Sequence, residues 1–345
     1  MAFFLTMPIS IRMPISTGIE IGLFDIFDIQ ADYFTEDRKN ILMNRSSIPS
    51  TMGLQAALRA NVGEASSSGY EISIDGNHSF HKDFWVTGRA NFVYTTNKFE
   101  VYDEPKYPYP WLSWVGLNMN QTTGLIAERL FIDEADIANS PQQTFGEYMP
   151  GDIKYMDVND DGIINSQDYV PIGYPTVPKV MYGFGLSTGY KGFDFSFFFQ
   201  GSAQSSFFID PVRTGPFLNV NNVVSGKKQN NAMLQAWADS YWSEANRDIY
   251  ALWPRLSETQ ISNNTQRSTW YMRDGSFLRL KSAELGYTLP AGFTSKLKIA
   301  SFRVYLSGIN LLTFSKFNIW DVEMGGNGLG YPVQKVYNIG LNVNF

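Results

Sequence analysis

Twelve residues near the middle of the chain, Asp157-Val158-Asn159-Asp160-Asp161-Gly162-Ile163-Ile164-Asn165-Ser166-Gln167-Asp168, have the spacing of a calcium loop. Oxygen-bearing side chains fall at positions 1, 3 and 5 (Asp157, Asn159, Asp161), and Gly162 permits the sharp turn at position 6. Ile163 offers a backbone carbonyl at position 7, and Asp168 closes the loop at position 12 where a glutamate is commoner. A hard cation takes oxygen ligands, and a short loop brings them together in one place. The same residues also fit an Asx-rich turn held by its own side-chain hydrogen bonds, without a metal. If calcium binds here, its role is structural, stiffening a long loop; no other cofactor is expected.

Other reactive groups are scarce. Cysteine is absent, which excludes thiolate nucleophiles and Cys-ligated zinc or iron–sulfur sites. The two histidines, His78 and His81, fall in DGNHSFHKD (75–83), which reads as a solvated turn. No Ser–His–Asp set or pair of catalytic carboxylates emerges, so an enzyme is not expected. The acidic run Asp133, Glu134, Asp136 reads as a solvated loop face. Gly183-x-Gly185-x-x-x-Gly189 lies inside a strand pattern rather than before a helix, which argues against a phosphate loop and for small residues lining an interior. With 27 basic and 33 acidic residues the chain has no basic footprint for nucleic acid.

Two aromatic clusters stand out. Tyr107-Pro108-Tyr109-Pro110-Trp111, with Trp114, places rings and rigid prolines on a loop, where they serve as packing or an interfacial girdle, or else as a platform for cargo. Trp237, Tyr241 and Trp242 have near-helical spacing, suggesting a short amphipathic loop helix, with contact to a partner as a second reading.

The elements that must carry these groups are strands. Charged residues make up only 17% of the 345, against about 25% in ordinary globular chains. Aromatics reach 15%, and no apolar run is long enough for a transmembrane helix. In Gly192–Ser202, Phe193, Phe195, Phe197 and Phe199 share one face, while Asp194, Ser196, Gln200 and Ser202, with Phe198, share the other. Val180–Lys191 alternates in the same way, and Lys191-Gly192 joins the two as a tight hairpin. Gly69–Asp75, Phe84–Asn97 and Ser301–Leu312 alternate too. Ser276–Thr288 does so poorly, Gly18–Tyr33 fits two strands, and Gln121–Ile132 is weaker. About ten strands result. Polar, Asn/Gly/Pro-rich connections fall at about 100–118, 133–179, 205–272 and 313–334. Loops this long are uncommon in compact soluble domains. Short turns on one side and long loops on the other describe an all-β, antiparallel transmembrane barrel. Arg89, Asn91, Asp194, Ser196 and Gln200 would then line its lumen. In the last strand Tyr337, Ile339, Leu341, Val343 and Phe345 alternate with polar or small residues, and the sequence stops on Phe345. That pattern looks like the signal read by the bacterial barrel-assembly machinery.

Four stretches resemble the SusC/RagA family of TonB-dependent outer-membrane transporters. They are PGDIKYMDVNDDGIINSQDYVPIGYPTVPKVMYGFGLSTGYKGFDFSFFFQGS (150–202), WYMRDGSFLRLKSAELGYTLP (270–290), VYLSGINLLTFSKF (304–317) and the final strand. The resemblance runs from about Gly18 to Phe345 and implies a large barrel closed by an N-terminal plug. It further implies import of oligosaccharides or peptides with a SusD-like surface lipoprotein as lid, energised by TonB–ExbB–ExbD, in a Bacteroidetes-type outer membrane. The sequence departs from the pattern in covering only what looks like the C-terminal part of such a barrel. Residues 1–17 form an atypical start with an apolar patch (Ala2–Leu5) and no recognisable signal peptide, plug or TonB box. The chain is therefore expected to be a piece of a longer one, with 18–345 as barrel and 133–179 and 205–272 as its major loops. The alternatives are a calcium-dependent carbohydrate-binding surface β protein without transport activity, and a passive porin or adhesin.

Overall fold

The computed structural model describes residues 10–46, 53, 58–221 and 228–345, so the Ala2–Leu5 patch lies outside the described residues. Nine long strands form one sheet: β1 (Ile11–Leu23), β2 (Phe27–Asn44), β3 (Arg59–His81), β4 (Phe84–Val101), β5 (Val180–Tyr190), β6 (Phe193–Ala203), β7 (Phe277–Thr288), β8 (Ser301–Ser315) and β9 (Val336–Asn344). Each pairs antiparallel with its neighbours in chain order, an uninterrupted meander. β3 runs 23 residues, about twice the 9–11 that cross a bilayer as a tilted strand. No helix among the described residues is long and apolar enough to cross a membrane, which says nothing about strands.

The connections divide by length. β1–β2, β3–β4 and β5–β6 close in two or three residues, and β7–β8 in a short helical turn. At the β5–β6 turn Lys191 (φ 46°) and Gly192 (φ 87°) are both left-handed, the geometry that matches the twist of a two-residue hairpin. The intervening connections (45–58, 102–179, 204–276 and 316–335) are the long ones, and the meander puts them all at the opposite end.

Three expectations change. The turn at 75–83 is mostly strand: β3 continues to His81, His78 sits opposite Val86, and the chain reverses only at Lys82-Asp83. Cross-strand pairing with β4 overrides the local turn propensity of Asp75-Gly76-Asn77. Gln121–Ile132 does not join the sheet. It splits into Thr122–Gly124 and Ala127–Leu130, which pair with Val170–Ile172 and Ile153–Tyr155 inside the loop region, leaving nine long strands rather than about ten. β1 also begins at Ile11, seven residues before the Gly18 start read from alternation.

The hydrophobic core is built by the loops. Leu125, Leu130, Ile153, Tyr155, Trp237, Trp253, Tyr271 and Phe317 are buried together, and among the described residues no fully buried member of this cluster comes from the nine strands. The sheet instead leaves Ile15, Ile19, Phe193, Phe195, Leu306 and Ile339 exposed. Soluble proteins rarely leave such continuous apolar surface uncovered. The fold is thus all-β, a barrel-type antiparallel sheet carrying a separately cored body of loops.

Candidate functional site

Register sorts the sheet into two faces. One cross-strand row reads Ile21, Ile29, Ile74, Ala90, Phe184, Phe199, Leu280, Leu312 across eight strands. The row beside it, on the other face, reads Glu20, Gln30, Ser73, Asn91, Gly183, Gln200, Arg279. A third row on this polar face runs Gly22, Asp28, Asp75, Arg89, Gly185, Phe198, Ser282. Since successive side chains alternate across a strand, every second residue of nine strands contributes to one polar surface.

Arg89, Asn91, Asp194, Ser196 and Gln200 all lie on that polar face. Arg89 pairs with Asp75 at 2.5 Å on the adjacent strand, in the open. Asp194 accepts from Arg303, which also reaches Glu284 at 2.6 Å, so one guanidinium bridges two carboxylates across three strands. Gly183, Gly185 and Gly189 belong to the same face, where an added Cβ would collide with Asn91, Phe198 and Trp85 respectively. Phe198, the odd aromatic of its face, lies over the space that Gly185 leaves. His78 falls on the apolar face, edge-on to Phe80 at 4.5 Å between ring centroids. Tyr337, Ile339, Leu341 and Val343 occupy the apolar face of β9, with Leu306 opposite Ile339 and Val304 opposite Leu341. Phe345 follows, 93% exposed.

The calcium-type loop is tightly folded. Asp157 accepts from the Gly162 N–H (2.7 Å), Asn159 from that of Asp161 (3.2 Å) and Asp161 from that of Ile163 (2.8 Å). Asp168, wholly buried, accepts from the backbone of Val158 and Asn165. Among the described residues no three His, Cys, Asp or Glu side chains already converge as a metal cluster. One ligand atom is nevertheless left over: Asp157 Oδ1 is buried and has no hydrogen-bond partner. A buried carboxylate oxygen without a partner is costly in a protein and calls for an ordered water or a cation. The donor set therefore fits calcium: Asp157, Asn159, Asp161, Asp168 and the Ile163 carbonyl would hold it.

The proline–aromatic segment docks onto this loop. Tyr109 and Trp111 stack at 4.7 Å with their planes 9° apart. Asn159 donates to the Tyr109 hydroxyl (3.1 Å), and Trp111 Nε1 donates to the Gln167 carbonyl (2.8 Å). The second aromatic cluster is core rather than contact surface. Trp237 and Trp242 are buried, Trp237 within the five-residue helix α2 (Gln235–Asp239), while Tyr241 between them is half-buried. Nor is the acidic run simply solvated. Asp133 caps the helix α1 (Glu134–Ala138), and Asp136 binds Arg129 at 2.5 Å and Lys154 at 3.1 Å. The Arg129 hydrogen bond holds the Asp136 carboxyl well below the usual carboxylate range.

Sequence reasoning missed the polar centre of the loop body. Gln143 donates to Asn263 (2.7 Å), Asn264 donates to Asp152 (2.8 Å) and accepts from Ile153 N–H (2.9 Å), and Arg255 pairs with Asp152 at 3.1 Å. These buried groups satisfy one another and tie the 102–179 and 204–276 loops together. Their only sequence signal was polar residues in loops, which ordinarily means solvation.

No protein-family model matches the chain. It is similar to TonB-dependent receptor P3 of Formosa agariphila, 28% identical over 360 residues that cover 95% of this chain and 33% of the relative. It is likewise similar to TonB-dependent receptor P26 of the same organism, at 26% over 349 residues (92% and 32%). The chain thus spans about a third of the length of the curated relatives it matches. Among solved structures, that of the RagAB peptide transporter superposes with a TM-score of 0.68 at 21% identity, covering 97% of this chain and 35% of that one. The RagAB importer in its 'closed-closed' state gives 0.66 at 23%. Sheet, strand order and comparisons agree on the fold: the chain has the antiparallel barrel-type sheet of the RagAB structures and is similar in sequence to about a third of the length of TonB-dependent receptors.

Proposed function

We propose that this chain forms part of the wall and the outer mouth of a nutrient importer that takes up oligosaccharides or peptides across a Bacteroidetes-type outer membrane. The carrying observation is the pair of parallel rows, apolar across eight strands and polar across seven. Apolar rings facing lipid and polar groups facing water is the arrangement a spanning barrel requires. In the described residues β1 and β9 are unpaired edges of the sheet, and unpaired backbone cannot face hydrocarbon. Further strands close the barrel in this reading, and a plug carrying a TonB box lies in the same longer chain. A SusD-like lipoprotein covers the loop body, TonB–ExbB–ExbD pulls on the plug, and the barrel-assembly machinery reads the β9 pattern ending in Phe345. The chain's own residues line the path and hold the mouth in shape; none is asked to catalyse.

The test is uptake by intact cells of a fluorescent peptide and a fluorescent oligosaccharide, with and without tonB. Uptake of at least one that vanishes without TonB is the expected result; uptake that persists points to a passive porin. Release of the protein into buffer without detergent would favour the soluble carbohydrate-binding alternative, which the exposed apolar rows disfavour.

In the same reading the Asp157–Asp168 loop takes a structural calcium ion, supported by the orphaned Asp157 Oδ1. Calcium titrated into the intact protein should release binding heat that Asp157→Ala and Asp161→Ala both abolish. Because Tyr109 and Trp111 hang on Asn159 and Gln167, the ion should also shift the fluorescence of Trp111. Equal heats in wild type and variants would remove calcium from the account.

A further inference from the structure

Arg273 lies on the short strand Met272–Asp274, which pairs with Ser206–Phe208 above the barrel wall. It is half-buried, and its Nη1 donates to the backbone carbonyls of Trp270 (2.7 Å) and Met272 (2.8 Å). Its Nε and Nη2 meet no protein acceptor, and no carboxylate pairs with it, among the described residues. The absence is notable in a chain with 33 acids to 27 bases. The adjacent acid, Asp274, is engaged by Lys316 at 3.4 Å. Burial pulls the Arg273 pKa below its ordinary value, as happens when a cation loses water without gaining an anion. A guanidinium stays charged regardless, so the desolvation is left uncompensated.

The side chain borders a cavity of about 220 Å³ whose other walls include Ala127, Tyr250, Leu252, Thr269 and Trp270. Tyr250 is 68% exposed. Mixed polar and apolar walls, with Tyr250 and Trp270 beside a guanidinium whose Nε and Nη2 lack protein acceptors, suit a small planar anion with an organic body. The Nε–Nη2 edge presents two parallel N–H donors, the fork that grips both oxygens of a carboxylate. The depression is open to solvent and has room for the end group of a longer molecule.

We propose that this cavity is a subsite for a terminal carboxylate of the imported oligomer, gripped by the free edge of Arg273. The inference rests on the import reading above. Two cargoes carry that chemistry, a peptide with a free C-terminus and a glycan ending in a uronic acid.

The experiment uses the complete receptor extracted in detergent from its own outer membrane, and calorimetry with two matched pairs of probes. One pair is tetra-alanine with a free carboxyl terminus against its C-terminal amide; the other is trigalacturonic acid against its methyl ester. In at least one pair the acid should bind about tenfold more tightly than its neutral counterpart, and which pair does so identifies the source. Arg273→Gln should level the two members of that pair, and Arg273→Lys should keep part of the difference. Heat-modifiable migration on gels reports that each variant barrel is folded, and the wild-type comparison needs no variant at all. Equal binding of acid and neutral forms in both pairs overturns the proposal, as does a preference that survives Arg273→Gln. So does an Arg273→Gln receptor that loses only its lipoprotein partner. If TonB-dependent uptake persists while no acid is preferred, the subsite falls and the import reading stands.

Discussion

Trp237→Ala is expected to loosen the whole outer mouth while leaving the barrel sheet intact. Trp237 is fully buried, tilted against Trp253 at 4.7 Å and edge-on to Trp320 at 6.2 Å between ring centroids. Its Nε1 donates to the Thr214 carbonyl at 2.9 Å. The ring therefore joins distant parts of the 204–276 loop to one another and to the 316–335 loop. Removing a buried tryptophan costs about 3–5 kcal/mol, since the surroundings collapse only partly into the space. Freeing a buried carbonyl adds about 1–3 kcal/mol. The loop core shares no fully buried residue with the nine strands among the described residues, so the loss should stay local. Proteolysis of intact cells is the measure: cleavage within 204–276 and 316–335 should rise, while heat-modifiable migration of the barrel persists. Trp237→Phe should recover part of the protection. Unchanged cleavage in Trp237→Ala would show that the loops are held some other way.

The second large effect is expected at Arg279. This residue of β7 is 1% exposed, yet it lies on the polar face opposite Gln200. Its Nη2 reaches both oxygens of Asp321 (2.7 and 2.8 Å), and its Nη1 lies 3.0 Å from Glu323. Asp321 in turn caps the single turn Val322–Met324. One guanidinium thus fastens the 316–335 loop to the barrel wall. Breaking a fully buried pair from one side costs about 3–5 kcal/mol; the loss here is smaller, because Asp321 and Glu323 keep part of their surface in water. Arg279→Gln should expose the 316–335 loop to protease more than the 204–276 loop, which keeps the Trp237–Trp253 contact. Adding Asp321→Asn should return part of the loss, since it removes a stranded carboxylate. A double variant as sensitive as the sum of the singles would show that the two residues act independently.

Where the sequence was hard to read, particular irregularities explain it. Ser276–Thr288 alternated poorly because β7 carries a bulge: Leu280 pairs with Leu312 and Ser282 with Ile309, leaving Lys281 out of register. One extra residue restores the faces in space while breaking the period of two in the sequence. β8 compensates with Asn310, left-handed at φ 55°. The histidine segment was misread for a related reason, since a turn-forming tripeptide sits in mid-strand and is held there by β4. The tryptophans at 237 and 242 looked like a helix with a free face, and only the approach of Trp253 and Trp320 from other loops makes them a core. The network of Gln143, Asp152, Arg255, Asn263 and Asn264 joins residues more than a hundred positions apart, beyond the reach of any local pattern.

Alternation alone therefore determined the class of the molecule. Side chains in a strand point to opposite sides with a period of two, and a membrane wall must keep its two sides chemically distinct, so the pattern has to be written residue by residue. The short turns, the long polar connections and the oxygen spacing from Asp157 to Asp168 are local features and were legible for the same reason. Tertiary structure decided which loop residues are interior, which charges are paired and which are left open. Asp136 is paired, Asp157 Oδ1 is orphaned and Arg273 faces a cavity, because burial and partnership depend on what distant segments bring to the same place.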